Sequence, residues 1–427
     1  MKLRAIALMI TVLFAAVSLV SCSNSPTKEK IEITLMHGWG GSSPNHVNMR
    51  KIYKDFERAN PDIKLTFDSS PDLAVVIDKA NDKLAADKMP DIISTNGASQ
   101  FLSNAIIRGK ALNLKPYIDA DEEFKRSIHP SIFKVWMTDN EIYTLPDALE
   151  IAGYWYNEDI LQQAGVTEDS TSNSAVKLPL SWDEFWSACD KVKQWSLNRG
   201  QTIKPLMMEN EQNMIFLGAR IAGENINGTE FMSSSATNFN TDEFRRAIED
   251  LRKANTYGDQ PISRNDALQM FKDSEIAFFL SGVWDSDELN QSSNHDHINY
   301  AAFPAYDNKT VSYVSPSSGY VIGNTGDPQK IEACVRFLKY MLSDKVQKRL
   351  VVETKQAPSN PNVDYDWIKE AAPMLGMALG VANHADIQIR TLDSLSDEKA
   401  IDTLKNNLKR VINGSLSPSE LSEMLSH

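Results

Sequence analysis

Three groups of side chains in this 427-residue chain could do chemistry. The first is aromatic. Trp39 sits in the turn His37-Gly38-Trp39-Gly40-Gly41, directly after a strand-like segment, where a core ring would be unusual. Tyr154, Trp155 and Tyr156 follow one another on a second strand-like segment, and alternation sends at least one of them to the core. The second group is planar and polar: Asn96 and Gln100 after a short strand, Glu150, Glu209 and Asp285 in the middle of the chain, and Ser317, Ser318 and Gly319 ahead of another strand. Rings that cover an apolar face, with carboxylates and carboxamides around it, suit a polyhydroxylated ligand. Glu150 and Glu209 also admit the paired-carboxylate chemistry of a surface glycoside hydrolase. The third group is His295-Asp296-His297. It lies in a polar stretch without further ligands at metal spacing, so it reads as a solvated loop. Gly38-Trp39-Gly40-Gly41 lacks the Lys-Ser/Thr of a phosphate loop and the third glycine of a dinucleotide fingerprint. No metal or cofactor is expected.

Composition narrows the classes. Apolar residues make up 42% and charged residues 24%, which excludes a disordered or fibrous chain. The net charge is -13, with 57 acidic against 44 basic residues and no basic cluster, so nucleic acid is not an expected partner. Lys2 and Arg4 precede an unbroken apolar run from Ala5 to Val20, too short to span a bilayer and typical of a secretory signal. Leu19-Val20-Ser21-Cys22 resembles a bacterial lipobox, which implies a signal over 1–21, lipidation of Cys22 and a mature charge of -15. Electrostatics then repels the chain from an anionic membrane, and the lipid must hold it at the cell envelope, facing outside the cytoplasm. Residues 22–30 read as a tether. Cys189 and Cys334 lie in amphipathic helical patterns and read as small buried hydrophobes, with a disulfide the lesser reading.

The elements that must position these groups follow from periodicity. Strands are expected at 31–36, 63–67, 91–94, 151–156, 276–280 and 300–303. Helices are expected at 45–59, 73–87, 182–195, 211–222, 241–255, 264–272, 331–341, 399–411 and 418–425. Ser181 and Glu184 read as a capping box. Strands and helices alternate, which argues for an α/β fold with a mainly parallel sheet, and ligands in such sheets sit beyond the carboxyl ends of the strands. That rule puts Trp39 and Asn96 on one rim.

Several landmarks occur in the order found in the extracellular solute-binding proteins of sugar-type ABC importers, the maltose-binding-protein-like family. Phe56 to Ile63 (FERANPDI) resembles its first helix-to-strand junction, and Met89-Pro90-Asp91-Ile92-Ile93 its "PDI" strand. Tyr143 to Pro146 followed by Tyr154 to Asn157 resembles its crossover. Leu180 to Glu184, Phe271 to Trp284 and Val335 to Gln347 are similar to three further motifs, with Ser274 where the family has glycine. The resemblance implies a two-lobed periplasmic-binding-protein-like fold (type II), with a ligand cleft between lobes and strands crossing at a hinge. By analogy one lobe holds 31–142 and 303–342, and the other holds 143–302 and 343–427. The implied function is a lipid-anchored monomeric receptor that captures a mono- or oligosaccharide for ABC transporter permease subunits, without catalysis. Signalling to a membrane sensor is an alternative to import. The resemblance also makes Trp284 the cleft tryptophan and Glu150 a ligand contact. The family's C-terminal cleft tryptophan has no counterpart between Thr391 and Val411.

Overall fold

The computed structural model describes residues 29–426 apart from 96–99, 169–174, 210–211, 234–237, 259–261, 317–318 and 393–397. The signal segment, Cys22, Asn96 and Ser318 therefore lie outside the described residues.

Two sheets organise the molecule. The first contains β1 (Ile31–His37), β2 (Ile63–Ser69), β3 (Ile92–Thr95), β4 (Leu145–Pro146) and β11 (Gly319–Ile322), in the order β2-β1-β3-β11-β4. β1 is parallel to β2 and β3, and β11 runs antiparallel to β3 and β4. The second sheet is built around β5 (Ala148–Asn157). β5 lies between β7 (Ile276–Gly282) and β10 (Thr310–Pro316), both antiparallel to it, and also pairs antiparallel with β8 (Ile298–Ala301) and β12 (Ala357–Pro358). β6 (Lys204–Met208) is parallel to β7, β13 (Ile387–Ile389) is parallel to β10, and β9 (Phe303–Pro304) is antiparallel to β10. The second sheet is thus not the mainly parallel one expected. β5 carries the chain away from the first sheet and β10 returns it there, so the two strands must run in opposite directions.

The expected lobe boundaries also shift. Residues 303–316, expected in the first lobe, pair in the second sheet, while Leu145–Pro146, expected in the second, pair in the first. Val346 and Leu350, likewise expected in the second lobe, pack in the first core.

Local chemistry explains several landmarks. In α1 (Pro44–Ala59), Met49, Ile52, Tyr53 and Phe56 form the buried face. The Asp91 carboxylate of the "PDI" motif accepts from Thr34 N and Oγ1 and pairs with Lys330, joining β1 to α8 (Pro328–Met341). Ser274 has φ of 60°, which explains glycine at this point in the family. Here Asn157 and Asn294 donate to its Oγ, at 3.2 and 2.8 Å. Ser181 caps α4 (Trp182–Asn198) through Glu184 N, but Glu184 reaches back to Leu180 N, so only half of the expected box forms. The complete capping box is Ser417 with Glu420. Cys189 and Cys334 are free, each buried in a different core.

The first crossing between sheets carries a buried acid. Asp147 stands between β4 and β5, 2% exposed. Tyr320 Oη donates to its carboxylate at 2.6 Å, and Tyr53 Oη lies 3.0 Å from Tyr320 Oη. Gln347 Nε2 donates to the Asp147 carbonyl. Burial pushes the Asp147 carboxyl from 3.8 up to about 6. A raised acid favours the fold when protonated, so its contribution is complete below about pH 4 and is lost as pH rises through about 6. Asp147→Asn should therefore be more stable than the parent by about 2–3 kcal/mol above that range. The advantage should fade toward the ordinary carboxylate range. Paired denaturant titrations across pH check this, and a pH-independent difference would contradict it.

Candidate functional site

Two adjoining chambers open beside the crossing strands, and both are lined by Glu150 and Trp284. The larger, about 1010 Å³, lies against the second lobe. The smaller, about 560 Å³, lies between lobes: Trp39, Asn45 and Asn48 line it from the first, and Leu149, Glu150 and Trp284 from the second.

Glu150 is the only one of the ten residues of β5 that is not buried. An acid inside a strand covered on both faces needs polar company. Tyr313 Oη on the neighbouring β10 supplies it, donating to Glu150 Oε2 at 3.0 Å. Trp284 lies in the turn after β7, half-buried, and its indole folds back over Gly282. A Cβ on Gly282 would meet Ile151 O at 2.2 Å and the indole carbons at 2.6 Å, so the ring takes this pose only over glycine. Glu209 directly follows the carboxyl end of β6. It lines the larger chamber, is 6% exposed and accepts from Gln212 Nε2 at 3.1 Å.

Trp39 is held by its loop. Its backbone N–H donates to His37 Nδ1 at 3.1 Å, and its backbone carbonyl accepts from the Arg50 guanidinium, which also donates to Gly41 O at 2.8 Å. His37 is buried, and burial, then Arg50 and His46, bring it down to about 4, so it stays neutral. With Nδ1 accepting, its proton sits on Nε2, a buried donor with no partner among the described residues.

Other expected contacts are elsewhere. Tyr154 and Tyr156 are buried in the second-lobe core, Tyr154 among Phe185, Phe278 and Phe303. Neither lines a chamber, because β5 is covered on both faces and offers the trio no open side. Asp285, expected as a ligand contact, is fully buried and lines neither chamber. Its carboxylate pairs with Arg264 and accepts from Ser281 Oγ, and burial raises its pKa against the opposing pull of Arg264. Arg264, not Asp285, lines the larger chamber. Gly319 is buried in β11 opposite Thr95 and Pro146 and lines neither chamber. Gln100 opens the helix Gln100–Ile107 and is described by its backbone alone. Among the described residues no cluster of His, Cys, Asp and Glu could hold a metal, and His297 pairs instead with Asp159 at 3.2 Å.

Sequence reasoning missed Gln212, Asn213, Arg264, Tyr313, Lys405 and Lys409, all on the wall of the larger chamber. The polar run Glu209 to Asn213, between a strand end and a helix start, was a usable signal for the first two. Among the described residues no helix is long and apolar enough to cross a membrane.

The family model of the bacterial extracellular solute-binding proteins matches residues 51–375. The multiple sugar-binding protein of Streptococcus mutans is 20% identical over 360 residues, covering 78% of this chain and 77% of that protein. A Streptococcus pneumoniae solute-binding protein solved with the blood group A-trisaccharide shares the fold. Its TM-score is 0.75 at 23% identity, over 92% of this chain and 98% of that one. So does the GacH receptor of Streptomyces glaucescens, solved unliganded and with acarbose, with a TM-score of 0.71 at 15% identity over 93% and 97% of the two chains. With two lobes, crossing strands, a cleft between them and a family match across most of its length, the chain belongs to the bacterial extracellular solute-binding proteins.

Proposed function

We propose that this protein captures a carbohydrate between its lobes and delivers it, chemically unchanged, to the permease subunits of an ABC importer. The observation that carries the reading is the wall common to both chambers, where an indole face and a carboxylate, Trp284 and Glu150, stand together. An aromatic face covers the apolar C–H side of a sugar ring while acids and amides accept from its hydroxyls. The family's importer role and the sugar-binding description of the Streptococcus mutans relative support the same reading. The lobes, roughly 31–146 with 319–354 and the remainder, would close over the ligand by hinge motion. The chain would work as a monomer. A thermal-shift screen of the mature protein against a sugar library tests the reading, since ligand at 100 times its Kd adds about 2.7 kcal/mol to stability. No stabilisation by any sugar would count against it.

The membrane attachment rests on the Leu19 to Cys22 sequence. Cys22→Ala should move the protein from the membrane fraction to the soluble fraction. Retention of the variant on membranes after a high-salt wash would overturn lipid anchoring at this residue.

A further inference from the structure

We infer that the larger chamber takes an N-acetylated saccharide, with the acetamido methyl on an aliphatic wall and the amide against Gln212 and Asn213. The inference rests on the reading of the cleft as a carbohydrate site and names the sugar class it admits. Most of the surface that faces this chamber is apolar. Besides the Trp284 indole, it carries aliphatic side chains from two helices, Met214 and Ile215 from Asn213–Ala222 and Leu408 and Ile412 from Glu398–Ile412. Leu408 and Ile412 are four residues apart and share a helix face.

This wall suits an acetamido group better than a hydroxyl. The flat C–H face of a sugar ring matches a flat indole. A methyl group is instead a compact knob, which flexible and branched side chains can enclose. A hydroxyl pressed there would lose water without gaining a partner. Carboxamides stand beside the apolar residues: Gln212 and Asn213 directly precede Met214 and Ile215, and all four line the chamber. A carboxylate only accepts, so Gln212 turns Nε2 to Glu209, at 3.1 Å, and its Oε1 is left without a donor among the described residues. Asn213 is 4% exposed, and its carboxamide makes no hydrogen bond among the described residues. Buried carboxamides are normally paired. An acetamido group answers all three needs at once. Its N–H can donate to Gln212 Oε1, its carbonyl can accept from Asn213 Nδ2, and its methyl covers the aliphatic surface beside them.

The test is calorimetry on the mature protein with three matched pairs: the chitin trimer against cellotriose, N-acetyllactosamine against lactose, and a galactosyl-N-acetylgalactosamine disaccharide against its galactosyl-galactose match. Members of a pair differ only in acetamido for hydroxyl at the second ring carbon. In at least one pair the acetamido member should bind at least about tenfold more tightly than its match. Asn213→Asp keeps the side-chain shape and puts an acid in the first turn of a helix, where it is favourable. It removes the donor to the acetamido carbonyl, so it should abolish the preference while the melting temperature holds. Ile412→Thr, at a half-buried position, should narrow the preference by removing apolar surface. Equal binding within every pair, binding confined to sugars without acetamido groups, or a preference unchanged in both variants overturns the N-acetyl assignment and leaves the carbohydrate reading standing. Failure of all three pairs and of the broader sugar library overturns the carbohydrate reading and this inference with it.

Discussion

Trp284→Ala should weaken carbohydrate binding by about 30- to 150-fold. The indole forms part of both chambers, and a sugar ring laid against it removes apolar area from water. At about 25 cal/mol per Å², loss of that contact costs roughly 2–3 kcal/mol, and every 1.4 kcal/mol is about tenfold. The ring is half-buried and packs against two apolar clusters of the second lobe, so a modest loss of fold stability should accompany the loss of affinity. Trp155 provides the contrast. It is fully buried, packed against Tyr300, with its Nε1 donating to Gly282 O at 3.2 Å. Trp155→Ala should cost about 3–5 kcal/mol of stability. Calorimetry and melting temperatures on both variants separate the roles. Intact affinity in folded Trp284→Ala would remove this residue from the site.

Arg264→Ala should destabilise the fold by about 2–3 kcal/mol near neutral pH. Removing one member of a buried ion pair typically costs about 3–5 kcal/mol, because the remaining charge has no partner. The lower figure allows for an Arg264 side chain that is 36% exposed while Asp285 is fully buried. The sign of the pH dependence follows from Asp285, whose carboxyl is already raised by burial. Losing Arg264 raises it further. A raised acid stabilises the fold when protonated and loses that contribution as pH rises through its folded value. The penalty of the variant should therefore shrink on acidification. Urea titrations across pH check this, and a penalty that grows toward acid would show that the Asp285 carboxylate does not control the effect.

Much of the architecture was legible because it is local. The burial of α1 follows from the spacing of Ile52, Tyr53 and Phe56, and the helix Arg264–Lys272 matches its periodic pattern from end to end. Trp39 was legible because a tryptophan between glycines has no strand or helix to bury it. Tyr154 and Tyr156 misled because alternation identifies a face only where one side of a sheet is open, and β5 is covered on both. Asp285 misled because its partner, Arg264, lies 21 residues earlier, and only the fold brings a cation into that pocket. Lys405 and Lys409 look like solvated lysines of an amphipathic helix until the helix Glu398–Ile412 is seen against the chamber. The lobe boundaries slipped for a related reason: strand pairing across long separations decides which sheet receives 303–316, and no local pattern encodes it.

The most direct test of carbohydrate capture without chemistry is calorimetric titration of the mature protein with a stabilising oligosaccharide, followed by chromatography of the ligand recovered from the cell. Saturable one-to-one binding with the oligosaccharide returned intact is the expected result. Cleavage of the ligand during the incubation, abolished in Glu150→Gln, would contradict it and make the Glu150–Glu209 chamber a hydrolase site.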